Sequence, residues 1–265
     1  MMRVLVILLM CLGIQAQAKS MRLAVTTSFH NSGLSEVLLP QIEMDTGLDV
    51  QMLVVGTGQA LRLGEAGDVT AILVHSKAAE ERFVNEGHGT HRREIMYNDF
   101  VIVGPREDHA NVRNVTSAVE AFQRIAKEGL QFVSRGDDSG THRKELSLWK
   151  ETTLDPANFG SWYKAVGSGM GASLNTASAV NAYIMSDRAS WLNFSNKGSL
   201  ELLYSGDPIL FNQYAYLPVN PQKHPHLDPD AAKQLEDWLT SPKARALIDG
   251  YTINGEKLFV FNAVE

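Results

Sequence analysis

Three observations predict an α/β fold built on a largely parallel sheet. Short apolar runs alternate with amphipathic stretches from Met21 to the end of the chain. One of these runs, Val69 to Val74, is almost continuously apolar, as expected of a strand covered on both faces. Four times, a strand or turn leads through a short loop of glycine and hydroxyl residues into a helix. These loops are TTSFHNSG (26–33), VGTG (55–58), SRGDDSGT (134–141) and GSGMG (167–171).

Met21 to Val25 reads as the first strand and the TTSFHNSG segment as a loop. Leu34 to Asp45 reads as a helix, because Leu34, Leu38 and Ile42 recur at four-residue spacing and Gly47 is placed to end it. Pro40 within it predicts a kink or a shorter helix. Val50 to Val55 is the next strand, followed by one or two helical turns from Gln59 to Gly64 and the buried strand 69–74. Phe100 to Val103 is again a strand. Ser117, with Glu120 three residues on, has the spacing of a capping box and opens a helix that Gly129 stops. Gln131 to Val133 is a strand and Arg143 to Glu151 a helix. GSGMG precedes a helix with Leu174, Ala177, Val180 and Ile184 on one side. Ile209 to Pro218 is strand-like, and helices at about 229–240 and 242–249 close the chain.

At about 150 residues per domain, 265 residues suggest one or two domains. No Pro/Gly-rich hinge divides the chain, so the strand-like segments near 99–104 and 211–219 are the best crossover candidates. Two crossings there assign residues 19–100 and 213–265 to one lobe and 101–212 to the other.

Residues 1–18 are expected to lie outside the fold. Arg3 supplies a positive charge, Val4 to Ile14 is apolar, and Ala16-Gln17-Ala18 has the A-x-A form of a cleavage site. That is the layout of a secretory signal peptide, with an apolar core too short to span a bilayer. The only cysteine, Cys11, lies within it and follows Met10, not the small residue that precedes a lipidated cysteine. An exported chain without disulfides is therefore expected. With 44% hydrophobic and 20% charged residues the composition is that of a globular protein, not a disordered or collagenous one. A formal charge of −6 argues against nucleic acid as a partner. Any anionic ligand must be held by locally aimed donors, against the sign of the whole molecule.

The four loops have the chemistry for that. A helix N-terminus offers unpaired N–H groups and a positive dipole end, glycine lets the backbone approach closely, and Ser or Thr adds a neutral donor. Plain helix capping also favours these residues, so the recurrence is more informative than any single loop. SRGDDSGT resembles the element around the nucleophile of chymotrypsin-like proteases, which keeps an exported hydrolase using Ser139 as an alternative. The context opposes it: Ser139 opens a helix, His142 is poorly placed as its base, and no G-x-S-x-G elbow is present. The eight histidines form no recognisable metal-ligand pattern and are read as surface loop residues; no metal site or cofactor is expected. Trp149, Trp162, Trp191 and Trp238 are read as core.

Almost end to end, residues 19–265 resemble the periplasmic tungstate-binding proteins of ABC importers. The resemblance is carried by TTS (26–28) with SGL (32–34), VGTGQAL (55–61), LGEAGD (63–68) and MYNDFVIVGP (96–105). It continues in SRGDDSGTHRKE (134–145), GSGMG (167–171) and SDRASWL (186–192). It implies a two-lobed periplasmic binding protein fold, with an oxyanion in the interlobe cleft and a membrane permease and its ATPase as partners. It implies a monomeric carrier in the periplasm and not an enzyme. The ligand implied is tungstate; molybdate, phosphate and sulfate are alternatives, and an adhesion or sensor-partner protein is another class. Carried onto this chain, the ligand shell is Thr27 and Ser28, Thr57, Arg135, Ser139 and Thr141, and Gly169, Met170 and Gly171. Two positions depart from the family: Val25 where a longer TTTS run is usual, and Asn31 where Asp is usual. The first removes one hydroxyl donor; the second is expected outside the anion shell. Asp137 and Asp138 are expected to turn away from the anion, toward Arg135 or backbone N–H groups.

Overall fold

The computed structural model describes residues 19–264; the segment 1–18, expected to be a signal peptide and containing Cys11, lies outside them. The chain begins with β1 (Lys19–Thr26), α1 (Thr27–Asn31), α2 (Leu34–Thr46), β2 (Leu48–Val55), α3 (Thr57–Ala66), β3 (Ala71–Val74) and α4 (Lys77–Asn85). A long strand, β4 (Arg93–Pro105), leads into α5 (Ala118–Lys127), β5 (Phe132–Ser134), α6 (Gly140–Glu151), β6 (Tyr163–Ala165), α7 (Met170–Val180), β7 (Tyr183–Asp187), α8 (Arg188–Asn193) and β8 (Leu200–Tyr204). The return is β9 (Phe211–Pro218), then α9 (Pro229–Leu239), α10 (Pro242–Gly250), a hairpin of β10 (Thr252–Ile253) and β11 (Glu256–Lys257), and β12 (Val260–Phe261).

The strands run in the order β2-β1-β3-β9-β4-β7-β5-β6, with β8 and β12 also pairing with β4. The sheet is mixed, not largely parallel as the alternation suggested. The outer pairs β1–β2, β1–β3, β5–β6 and β5–β7 are parallel, whereas β3–β9, β4–β9, β4–β7, β4–β8 and β4–β12 are antiparallel. The reason is the route of the chain. β4 carries it from one half to the other and β9 brings it back, so the two meet running in opposite directions. Arg93–Asp99 of β4 pairs with β9 and Phe100–Val103 with β7, so the ladder changes partner between Asp99 and Phe100.

The buried side chains follow the same division. Leu23, Val25, Leu34, Ile95, Tyr214, Leu235 and Phe259 share one cluster, and Ala24, Leu61, Ile72, Phe83 and Leu217 another on the opposite face of β1 and β3. Beyond the change of partner, Phe122, Phe132, Trp149 and Tyr183 form a third cluster, and Val103, Val133, Leu174 and Trp191 a fourth. Three of the tryptophans are buried as expected, Trp149 completely, while Trp162 is half-buried.

Several local expectations are corrected. TTSFHNSG is not all loop, because Thr26 caps a short helix by accepting from Phe29 N–H. α2 runs unbroken through Pro40. Glu36 and Pro40 both face solvent, so water can take the carbonyl whose helical partner the proline ring removes. α7 stops at Val180, since Asn181 adopts the left-handed conformation; Ile184 therefore belongs to β7, and Val180 is exposed. The β9 strand starts at Phe211, after a single 3-10 turn at Pro208–Leu210. No helix among the described residues is long and apolar enough to cross a membrane.

Candidate functional site

Two neighbouring cavities open at the loops after β1, β2, β3, β5 and β6, the larger one against Phe100 of β4 and Phe211 to Gln213 of β9. The smaller, about 420 Å³, is lined by Thr27, Ser28, Arg135, Gly169, Met170, Gly171 and the start of α8. The larger, about 580 Å³, is lined by Thr57, Ser139, His75, Lys77, Lys144, Asn212 and their neighbours. Ser28 Oγ and His75 Nε2, 3.0 Å apart, stand between the two.

Arg135 is the cationic side chain on the wall of the smaller cavity, while Lys77, Arg143 and Lys144 line the larger. Arg135 follows β5 directly, and its side chain is largely buried. One terminal nitrogen donates to Asp137 Oδ2 at 2.5 Å, while its Nε is buried without a hydrogen-bond partner among the described residues. Gly136, at φ +61°, makes the turn; a Cβ there would lie 2.9 Å from that of Ala165. Ser168 N–H donates to the Arg135 carbonyl at 3.1 Å, which ties the third loop to the fourth. The fourth loop then enters α7, whose first intrahelical bond runs from Ser173 N–H to the Gly169 carbonyl. The N–H groups of the first turn therefore have no helical acceptor and sit at the positive end of an 11-residue helix.

The acids divide as follows. Asp137 Oδ1 accepts from Ser139 N–H at 3.2 Å while Oδ2 takes Arg135. Burial works to raise its pKa, but the bonds from Ser139 and Arg135 hold it below the ordinary carboxylate value. Asp138 does not reach Arg135; it pairs with Arg143 through two bonds of 2.9 and 2.8 Å at an exposed site, which also lowers its pKa. The wall of the smaller cavity holds a further carboxylate, Asp187, whose Oδ1 caps α8 by accepting from Ser190 N–H. Behind it, Arg188 grips the buried Asp99 through two bonds of 2.6 Å, which hold the Arg188 pKa above its ordinary value.

The Ser28 hydroxyl has three polar side-chain neighbours. It lies 3.0 Å from Thr26 Oγ1, 3.0 Å from His75 Nε2 and 3.2 Å from Tyr214 Oη. Burial depresses the His75 pKa to about 4, so the ring is neutral at neutral pH.

Of the residues expected from sequence, Thr27, Ser28, Arg135, Gly169, Met170 and Gly171 share the smaller cavity, and Thr57 and Ser139 the larger. Thr141 lines neither: its side chain is buried in the first turn of α6. Ser139 Oγ accepts from His142 N–H as the cap of α6, while His142 Nδ1 accepts from Asp138 N–H; among the described residues no imidazole nitrogen bonds the hydroxyl, whose acidic neighbour is Asp137. Asn31, expected outside the anion shell, lines the smaller cavity. Reading the histidines as surface loop residues misses His75, and the sequence shell also lacks Asp187, Ser190 and Asn212. The SDRAS run (186–190) is the local signal for Asp187 and Ser190; nothing local marks His75 or Asn212. Among the described residues, no group of three or more His, Cys, Asp or Glu side chains could hold a metal ion.

Residues 14–243 match the PBP superfamily domain. The tungstate-binding protein TupA of Peptoclostridium acidaminophilum is 43% identical over 256 residues, covering 95% of this chain and 89% of that protein. Among solved structures, the tungstate-binding protein TupA of Desulfovibrio alaskensis G20 superposes with a TM-score of 0.90 at 41% identity, covering 93% of this chain and 100% of the other. The tungstate ABC transporter structure from Geobacter sulfurreducens gives 0.75 at 44% identity, with 88% and 98% covered. Fold and cleft together define a solute-binding protein of the PBP superfamily, a carrier class and not an enzyme. Within that class, the chain belongs to the family of the ABC-transporter tungstate-binding proteins.

Proposed function

We propose that this protein captures tungstate in the cleft and hands it to a membrane permease driven by an ATPase. In this reading it works as a periplasmic monomer, released by cleavage after the segment 1–18. Residues 19–100 and 213–265 form one lobe and 101–212 the other. The observation that carries the reading is the meeting of Arg135, with its unpartnered Nε, and the start of α7 in one cavity with Thr27 and Ser28. Arg135 presents a planar fork suited to two oxygens, and the hydroxyls and N–H groups supply neutral donors. Six to eight charge-assisted hydrogen bonds at about 1.5–3 kcal/mol each suffice for nanomolar binding, about −12 kcal/mol, after the cost of ordering and closure. In this arrangement a negatively charged protein holds a dianion without a broad positive field. Thr57 and Ser139, on the wall of the larger cavity, reach the anion when the lobes close around it.

Asp187 supplies a reason to keep phosphate as a second reading, because phosphate near neutral pH retains a proton and needs an acceptor. Competition calorimetry with tungstate, molybdate, sulfate and phosphate decides. Tungstate and molybdate are expected to bind tightly, sulfate weakly because it is smaller, and phosphate most weakly. Tight phosphate binding that disappears in Asp187→Asn or Asp137→Asn makes the protein a phosphate carrier; tight binding of none of the four ends the oxyanion reading.

A further inference from the structure

We infer that His75 is a positioning residue of the oxyanion site, one that orients the Ser28 hydroxyl so that its single proton is directed to the bound anion. The inference rests on the oxyanion reading proposed above. A serine hydroxyl has one O–H and two lone pairs, and Ser28 Oγ already has three polar neighbours within 3.2 Å. If its proton goes to any of them, the ligand meets only lone pairs. With two lone pairs, Ser28 can accept from His75 and from one of Thr26 and Tyr214, each of which brings a proton of its own; burial pushes the Tyr214 pKa up to about 12, so that phenol keeps its proton.

His75 decides between the two outcomes. A neutral imidazole has a single N–H, and Nε2 is the nitrogen that faces Ser28. With the proton on Nε2, His75 donates to Ser28 and leaves the serine proton free for the cavity. With the proton on Nδ1, Nε2 becomes an acceptor, draws the serine proton to itself and turns oxygen lone pairs toward the ligand. The ring cannot escape the choice by charging, because burial holds its pKa near 4. Nor does it move freely: it lies against Tyr214 with ring centroids 4.8 Å apart. The ring also has acceptors within reach, its own backbone carbonyl and the side chain of Asn212, whose amide nitrogen is spent on Asn98 Oδ1 at 2.9 Å; they compete for the imidazole proton, and the bound anion has to outweigh any pull toward Nδ1. An unprotonated dianion repels a lone pair and attracts a donor, so the ligand-bound protein holds the Nε2–H form. Ser28 and His75 come from the ends of different strands, which makes the pair a contact between the first loop and the floor of the cleft.

Calorimetry with tungstate on Ser28→Ala, His75→Leu and His75→Gln, together with ¹⁵N NMR of the wild-type imidazoles, tests this. Ser28→Ala and His75→Leu should each weaken binding tenfold to about a hundredfold, the range of one hydrogen bond to a charged group. His75→Gln, which can place an amide N–H near the position of Nε2, should stay within about threefold by the same reasoning. A role in packing alone reverses the order of Leu and Gln. The NMR spectrum should show His75 as the Nε2–H tautomer with tungstate bound, a readout that needs no variant to fold beyond the one used for assignment. The inference is overturned if His75→Leu binds within twofold of wild type while Ser28→Ala is weakened, or if the bound protein holds the Nδ1–H tautomer. If Ser28→Ala and Arg135→Ala both bind like wild type, the reading of the cleft itself has failed.

Discussion

Replacing Arg135 with alanine should do more than delete two hydrogen bonds. Two charge-assisted bonds to the anion at about 1.5–3 kcal/mol each place the direct loss at about 3–6 kcal/mol, or roughly 150- to 25,000-fold in affinity. Arg135 is also the counter-ion of Asp137, a carboxylate whose side chain is only 19% exposed. Without the guanidinium, that carboxylate stands unpaired beside the proposed anion site, and part of the measured loss is this repulsion. The double variant Arg135→Ala with Asp137→Asn should therefore recover at least about tenfold over Arg135→Ala alone, an interaction energy near 1.4 kcal/mol. Arg135→Lys should recover only part, because an ammonium lacks the planar fork. Titration calorimetry with tungstate on the four members of the cycle gives every number needed. Arg135→Ala binding within twofold of wild type refutes the assignment, and a double variant no tighter than the single one refutes the role given to Asp137.

Three further outcomes are expected. Asp138→Asn should leave tungstate affinity within about threefold of wild type in the same titrations, because its carboxylate is exposed and engaged by Arg143. Ser139→Ala should cost about 1 kcal/mol of stability by urea unfolding through loss of the α6 cap, and change no hydrolytic rate. Burial raises the Glu145 pKa to about 7 although Tyr163 and Trp149 donate to it at 2.7 and 3.0 Å, so the folded state holds a proton that the unfolded chain releases at lower pH. Its stabilising contribution is complete below about pH 4.5 and is lost as pH rises to about 7, a loss of ~3 kcal/mol that Glu145→Gln should abolish in urea melts between pH 5 and 8.

What was legible in the sequence was what short stretches of chain decide by themselves. Strand, glycine-containing loop and helix start follow from residues within a few positions of one another, as Gly47 at the end of α2 and Ser117 at the head of α5 illustrate. The same local chemistry marked the four loops as places where backbone N–H groups are free, and long runs such as SRGDDSGTH supported the family resemblance. The sheet was misjudged because strand direction is a matter of which strands meet, and β4 meets β9 only after more than a hundred residues of intervening chain. The floor of the cleft belongs to the same category. His75 looked like any loop histidine, and Asn212 and Tyr214 like ordinary strand residues, until the fold set Ser28 beside partners 47 and 186 positions away. Local sequence determines which groups can donate. Only the tertiary structure decides which of them share a cavity, since that depends on long-range pairing and on burial, and burial is also what holds the His75 ring neutral.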